Sequence, residues 1–186
     1  MPFLPSLPAT AHLADLFRLF PANVAPLMAY TDGLLRGEGV LDVAEREMIA
    51  TYTSGLNACT FCTGSHKIYA KLFGFDGDLM DAMIADLDSA PVPDKLRPLM
   101  ADVRKLNSLP SRLTVADAQA VFDAGWDEAA LYEAVQINAL FNMMNRIIEG
   151  TGINFDYEDD PARHPAHGGT PDAHAHSYAS FGRQFE

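Results

Sequence analysis

The chain has 186 residues, 48% of them hydrophobic, which is the length of one domain with apolar content for a substantial core. Thirteen Lys and Arg against 25 Asp and Glu leave a formal charge of −12. That balance argues against nucleic acid or an anionic membrane as partner, since both reward cationic surfaces.

The opening Met1-Pro2-Phe3-Leu4-Pro5 has no basic stretch and is broken by prolines, so it does not read as a secretory signal. No apolar run approaches the ~20 residues needed to span a bilayer. A cytoplasmic protein is the expectation.

From there the apolar periodicity is helical nearly throughout, and the predicted fold class is all-α, a compact bundle. Residues 10–20 form a first helix with Thr10 as its cap and Leu13, Leu16, Phe17 and Phe20 on one stripe. Pro21 ends it; a second helix runs from Asn23 to Leu35 and closes at Gly37 and Gly39. Asp42 and Glu45 make a capping box for a third helix reaching Ser54, with Gly55 as its stop. Helices follow from Cys59 to Gly74, over 76–87, from Asp94 to Leu106, from a Thr114 cap to Ala124, and from Asp127 to Glu149, where Gly150 and Gly152 stop the last one. Asn138, Asn142 and Asn145 line one face of that helix and read as a solvated or subunit-facing surface.

After Tyr157 the composition shifts to Asp, Pro, His, Gly and Ala, so the domain is drawn at 1–157 and residues 158–186 are a tail, either flexible or an intersubunit arm. Phe181 and Phe185 favour the arm. The tail's His164, His167, His174 and His176 read as a solvated tract rather than a dedicated metal site.

The only two cysteines, Cys59 and Cys62, precede His66 at spacings that place all three on one helical face, i, i+3 and i+7. A helix starting at Cys59 sets the first sulfur at the positive end of the helix dipole, where a thiolate is favoured. In a reducing compartment such a pair is catalytic or metal-binding more often than a permanent staple.

The third helix and the cysteine helix are joined by about four residues and form a central antiparallel hairpin. Residues whose numbers sum to about 113 then lie level: Glu47 with His66, Thr51 with Cys62, Ser54 with Cys59. His66 lies roughly 6 Å of axial rise from Cys62 and about 10 Å from Cys59, so only Cys62 is in direct reach. Glu47 opposite His66 orients the imidazole and raises its basicity. Thr51 and Ser54 have a simpler reading, hydroxyls bonded to carbonyls one turn back.

Glu47, then Cys59-x-x-Cys62 twelve residues on, then His66, resembles the core signature of the carboxymuconolactone decarboxylase superfamily, in its alkylhydroperoxidase-D-like, peroxidase-related branch. The similarity runs through Leu41, Glu45-Arg46-Glu47-Met48-Ile49-Ala50, Ser54, Asn57-Ala58-Cys59-Thr60-Phe61-Cys62 and Ser65-His66, and continues in Asn145-Arg146-Ile147. It covers about residues 1–155. The resemblance implies an all-α homo-oligomer, trimeric or hexameric, that reduces small hydroperoxides without a cofactor or metal. It implies Cys62 as the attacking sulfur, Cys59 as its disulfide partner, Glu47 and His66 as a proton relay, and an external dithiol as reductant. Some members carry a second histidine immediately before the second cysteine; this chain has Phe61. Two other classes stay open on the residues alone: a Cys/His metal module built from Cys59, Cys62, His66 and a tail histidine, and a noncatalytic helical oligomer whose cysteine pair senses redox state.

Overall fold

Proline, glycine and short polar caps cut the chain into helices, and a computed structural model describing residues 1–186 contains nine: α1 (Leu13–Leu19), α2 (Val24–Arg36), α3 (Val43–Leu56), α4 (Thr60–Leu72), α5 (Gly77–Ala85), α6 (Leu96–Asn107), α7 (Val115–Asp123), α8 (Glu128–Thr151) and α9 (Tyr178–Gly182). Short 3₁₀ turns at 161–163, 174–176 and 183–185 complete the regular structure, which is all helical. No helix is long and apolar enough to cross a membrane.

Caps place most boundaries. Asp42 accepts from the Glu45 amide at 2.8 Å while the Glu45 carboxylate accepts from the Asp42 amide at 2.9 Å, the reciprocal box expected for α3. The Asp117 carboxylate accepts from the Thr114 amide at 2.6 Å at the start of α7. The first helix begins later than Thr10, because His12 caps it: His12 Nδ1 accepts from the Ala14 amide and Asp15 accepts from the His12 amide. Gly55 does not stop α3. A Cβ there would lie 2.5 Å from Ile84, so the glycine lets α5 pack closely against a helix that runs on to Leu56.

α3 is the centre of the bundle. Every residue from Arg46 to Ser54 is buried, polar and apolar alike, as expected of a helix surrounded on all sides. It packs against α4 as a hairpin, against α8 over a long stretch, and against α5 and α6. Met48, Ile49, Ala50 and Tyr52 join Leu35, Leu99, Met100, Ile137 and Phe141 in the main core. A smaller apolar cluster, with Leu7, Ala11, Leu16, Ile148 and Phe155, encloses the two cysteines.

The asparagine stripe of α8 is interior, a correction to the surface expectation. Asn138 and Asn145 are buried. Asn138 Nδ2 donates to Thr53 Oγ1 at 3.2 Å, Asn145 Nδ2 to Ser54 Oγ at 3.0 Å, and Asn142 Nδ2 to Asn107 Oδ1 at 2.7 Å. Asn57 Nδ2 donates to Asn145 Oδ1 at 2.8 Å, and Asn107 Nδ2 to Asn57 Oδ1 at 2.9 Å. α6 lies over the stripe and supplies partners that the α8 sequence alone does not reveal. The network ties α3, α6 and α8 to the turn that leads into Cys59.

Residues 158–186, expected as a loose or intersubunit tail, fold back onto their own chain. Phe181 and Phe185 meet Phe17 with ring centroids 6.1 and 5.7 Å apart. Gly182 takes α9 so close to α2 that a Cβ would fall 2.5 Å from Met28 Cβ. His164 and His176 are buried; His167 and His174 are exposed. Tyr178, Phe181 and Phe185 stand at i, i+3 and i+7, an anchor that the average composition of the tail conceals.

Candidate active site

The α3–α4 hairpin has the register read from the residue numbers. Glu47 Oε2 lies 2.6 Å from His66 Nδ1. Cys59 N–H donates to the Ser54 carbonyl at 3.0 Å, closing the turn at the other level. The two hydroxyls take structural roles: Thr51 Oγ1 donates to the Glu47 carbonyl one turn back at 2.8 Å, and Ser54 Oγ accepts from Asn145.

Glu47 is fully buried and has two further partners on its other oxygen. Arg36 Nη1, from the end of α2, lies 2.5 Å from Oε1, and the Tyr178 hydroxyl, from α9, donates to Oε1 at 3.0 Å. Burial pushes the Glu47 carboxyl up, but Arg36 and His66 outweigh it and hold the group below its ordinary range. An ionised carboxylate only accepts, so the hydrogen between Glu47 and His66 sits on Nδ1. His66 Nε2 is then the ring nitrogen left to accept a proton. Its ring meets Phe141 edge to face at a 4.4 Å centroid distance.

Arg36 is enclosed by aromatic rings. Its guanidinium lies 4.8, 5.3 and 4.7 Å from the ring centroids of Tyr69, Phe73 and Tyr178. Nε donates to the His176 carbonyl at 3.2 Å and Nη1 to the Leu35 carbonyl at 2.9 Å.

Both cysteines are free and buried. Cys62, on the first turn of α4, opens on a cavity of about 480 Å³ shared with His66. Cys59 precedes the helix as its N-cap and lies behind, fully enclosed. The Cys59 thiol is pushed well above its ordinary range, by its hydrogen bond to Cys62 first and by burial second. The helix N-terminus that favours a thiolate is thus opposed at Cys59 by the neighbouring sulfur first and by burial second.

Four polar side chains form one wall of the cavity. His12 Nε2 donates to the Tyr157 hydroxyl at 2.6 Å, a direction fixed because Nδ1 already accepts from Ala14. His164 Nδ1 accepts from the Ala166 amide at 3.1 Å, so its Nε2 donates to Ser65 Oγ at 3.0 Å. Burial, then Arg163, lowers His12 to about 4; burial, then His66, lowers His164 to about 3. Both are neutral. Phe61 lies in the same wall, its ring centroid 5.1 Å from that of His12.

Of the residues expected at the site, Glu47, His66, Cys62 and Cys59 are brought together. Arg36, Tyr178, His12, Tyr157 and His164 were not anticipated. An arginine in the last turn of α2 reads as an ordinary C-terminal cation, and a His-rich tail reads as solvent-exposed; no local pattern marks either as a partner of Glu47. No group of three or more His, Cys, Asp or Glu is placed to hold a metal ion. The tail histidines nearest the site are committed elsewhere, His164 to Ser65 and His176 Nε2 to the Thr170 carbonyl at 2.9 Å.

No family model matches the sequence, and neither does any curated protein. Solved structures do share its fold. An uncharacterized peroxidase-related protein from Silicibacter sp. TM1040 superposes with a TM-score of 0.71 at 22% identity, covering 78% of this chain and 76% of that one. The alkylhydroperoxidase AhpD core of an uncharacterized peroxidase-related protein from Ralstonia eutropha JMP134 gives a TM-score of 0.71 at 24% identity, covering 77% and 75%. The chain has the alkylhydroperoxidase-D-like helical fold.

Proposed function

We propose that the protein is a thiol-dependent peroxidase that reduces organic hydroperoxides with Cys62, Cys59, His66 and Glu47. One observation carries the reading: a cavity whose wall holds a thiol, Cys62, and an imidazole aligned by a buried carboxylate, with a second thiol directly behind the first.

In this reading His66 Nε2 accepts the Cys62 proton, and the Nδ1–H bond to Glu47 stabilises the imidazolium. The thiolate attacks the distal peroxide oxygen and the O–O bond breaks. Cys62 becomes a sulfenic acid, and the departing alkoxide takes the proton from His66 to leave as alcohol. The Cys59 thiol then attacks the sulfenic sulfur, forming the disulfide and releasing water. An external dithiol reduces the bridge by two exchanges and leaves as its own disulfide. Cys62 alone opens on the cavity, which favours a slender dithiol that can enter it.

The substrate class follows from the space. A cavity of about 480 Å³ is much larger than hydrogen peroxide needs and falls in the range of small-molecule sites. Its apolar wall includes Leu13, Met28, Phe61, Phe141, Met144 and Phe181, which suits an organic tail. Assembly as a trimer or hexamer and residence in a reducing, cytoplasmic compartment belong to the same proposal.

The test is consumption of an organic hydroperoxide with a dithiol in excess. Cys62→Ser lowers the rate about 100-fold or more, as loss of a nucleophile does. With the dithiol left out, Cys59→Ser supports one fast turnover and then stops as a sulfenic acid that a dimedone-type reagent captures. Equal rates in wild type and Cys62→Ser reject the proposal.

A further inference from the structure

Resting on that reading, we infer that Tyr178, in the C-terminal segment, is a positioning residue of the proton relay: its hydroxyl restrains and partly neutralises the Glu47 carboxylate, and so sets how strongly Glu47 draws on His66.

Glu47 divides its two oxygens. Oε1 accepts from Arg36 Nη1 at 2.5 Å and from the Tyr178 hydroxyl at 3.0 Å, which leaves Oε2 to His66 Nδ1 at 2.6 Å. Two donors on one oxygen fix the rotation of the carboxylate and aim the other oxygen at the imidazole. The phenol lies 3.4 Å from His66 Nδ1, but that nitrogen carries its hydrogen, so Glu47 is the acceptor of the Tyr178 proton. The ring stacks near that of His66, with centroids 6.2 Å apart at 28°, and beneath the Arg36 guanidinium, whose Nη2 donates to the hydroxyl at 3.4 Å. Tyr178 thus touches both the cation and the base that flank Glu47.

The segment that carries it is held in place independently. The Arg36 bond to the His176 carbonyl, the Phe17–Phe181–Phe185 cluster and the close approach of Gly182 to Met28 seat α9 on α2. Arg36 from α2, His66 and Tyr69 from α4, and His164, His176 and Tyr178 from the C-terminal segment are the titratable or charged groups around the carboxylate. Burial, then Glu47, holds the Tyr178 phenol well above its ordinary range, so it remains a donor across neutral pH.

The consequence has a definite sign. Without the phenol, more of the Glu47 charge falls on His66, the imidazolium is better stabilised, and the Cys62 thiolate forms at lower pH. Tyr178→Phe keeps the ring, its stacking and its cation–π contact with Arg36, and removes the hydroxyl together with the bond it accepts from Arg36 Nη2. The measurement is the pH dependence of Cys62 alkylation by iodoacetamide, in full-length protein with Cys59→Ser as common background.

The expected midpoint of Tyr178→Phe lies about half a unit to one unit below the parent, about three- to tenfold more thiolate at a pH below both midpoints, the scale of part of a charge-assisted hydrogen bond. A fluorotyrosine at 178, a stronger donor that preserves every contact, moves the midpoint the other way. Superimposable profiles, or an upward shift in Tyr178→Phe, overturn the inference. Alkylation reads Cys62 without peroxide, so that result leaves the peroxidase reading standing, and a wild type inert to hydroperoxide leaves this test intact.

Discussion

Replacing Glu47 by Gln removes one charge from the centre of the bundle and barely changes its shape. The carbonyl of the new side-chain amide faces Arg36 and Tyr178, both donors, because turning the amide nitrogen toward them sets donor against donor. The amide N–H then points at His66 Nδ1, where Glu47 now accepts at 2.6 Å. His66 answers by accepting at Nδ1 and carrying its hydrogen on Nε2, the wrong tautomer for a base facing the cavity. Thiolate formation at Cys62 at neutral pH drops on the order of 100-fold or more, the scale at which a mis-set imidazole tautomer slows a triad.

Stability falls as well, because the Arg36 guanidinium is left buried without its counter-charge, a loss of about 3–5 kcal/mol. At the ~2–4 °C per kcal/mol typical of a chain this size, the melting temperature drops by roughly 6–20 °C. The difference depends on pH. The folded Glu47 carboxyl lies below its unfolded value, so its contribution is complete above about pH 5 and is lost as pH falls through the folded value. Alkylation rates against pH and thermal melts at pH 7 and pH 4 measure both effects. A Glu47→Gln protein with the parent's alkylation profile, melting within a degree of it, refutes the coupling of Glu47 to His66 and to Arg36.

His164 is lowered from 6.5 to about 3 and His12 from 6.5 to about 4, so the unfolded chain binds protons that the folded chain refuses between those values. Their contribution to stability is complete above about pH 6.5 and declines toward pH 3, by several kcal/mol for the pair; urea titrations across that range show the slope, and His164→Gln reduces it. Asn145→Ala leaves Ser54 Oγ and Asn57 Nδ2 without their buried partner and costs about 1–3 kcal/mol in urea unfolding. A change within about 0.5 kcal/mol assigns that residue to the solvated surface after all.

What lies within a few residues was legible in the sequence. Asp42 with Glu45 and Thr114 with Asp117 announce helix starts, since a cap is satisfied inside one turn. The spacing of Glu47, Cys59, Cys62 and His66 carries the hairpin register, because two helices joined by a short turn have little freedom to slide. Glycine was ambiguous: Gly55 read as a stop yet lies inside α3, since a missing side chain serves close packing as readily as chain reversal. The asparagine stripe of α8 read as surface because its partners, Thr53, Ser54, Asn57 and Asn107, come from other elements.

Backbone geometry repeated every turn is enough to account for the all-helical class, the capped helix starts, the central hairpin and the meeting of Glu47 with His66, and each of these is written in the order of the residues. Packing alone settles that Arg36 and Tyr178 close around Glu47, that Cys62 rather than Cys59 opens on the cavity, and that His164, His176 and Tyr178 belong to the site's wall. Tyr178 stands 131 residues from Glu47, and Arg36 reaches its carboxylate only once α2 is packed. A partnership across such distances leaves no periodic trace; it exists only where burial strips water from a charge and obliges the packed chain to supply its partners.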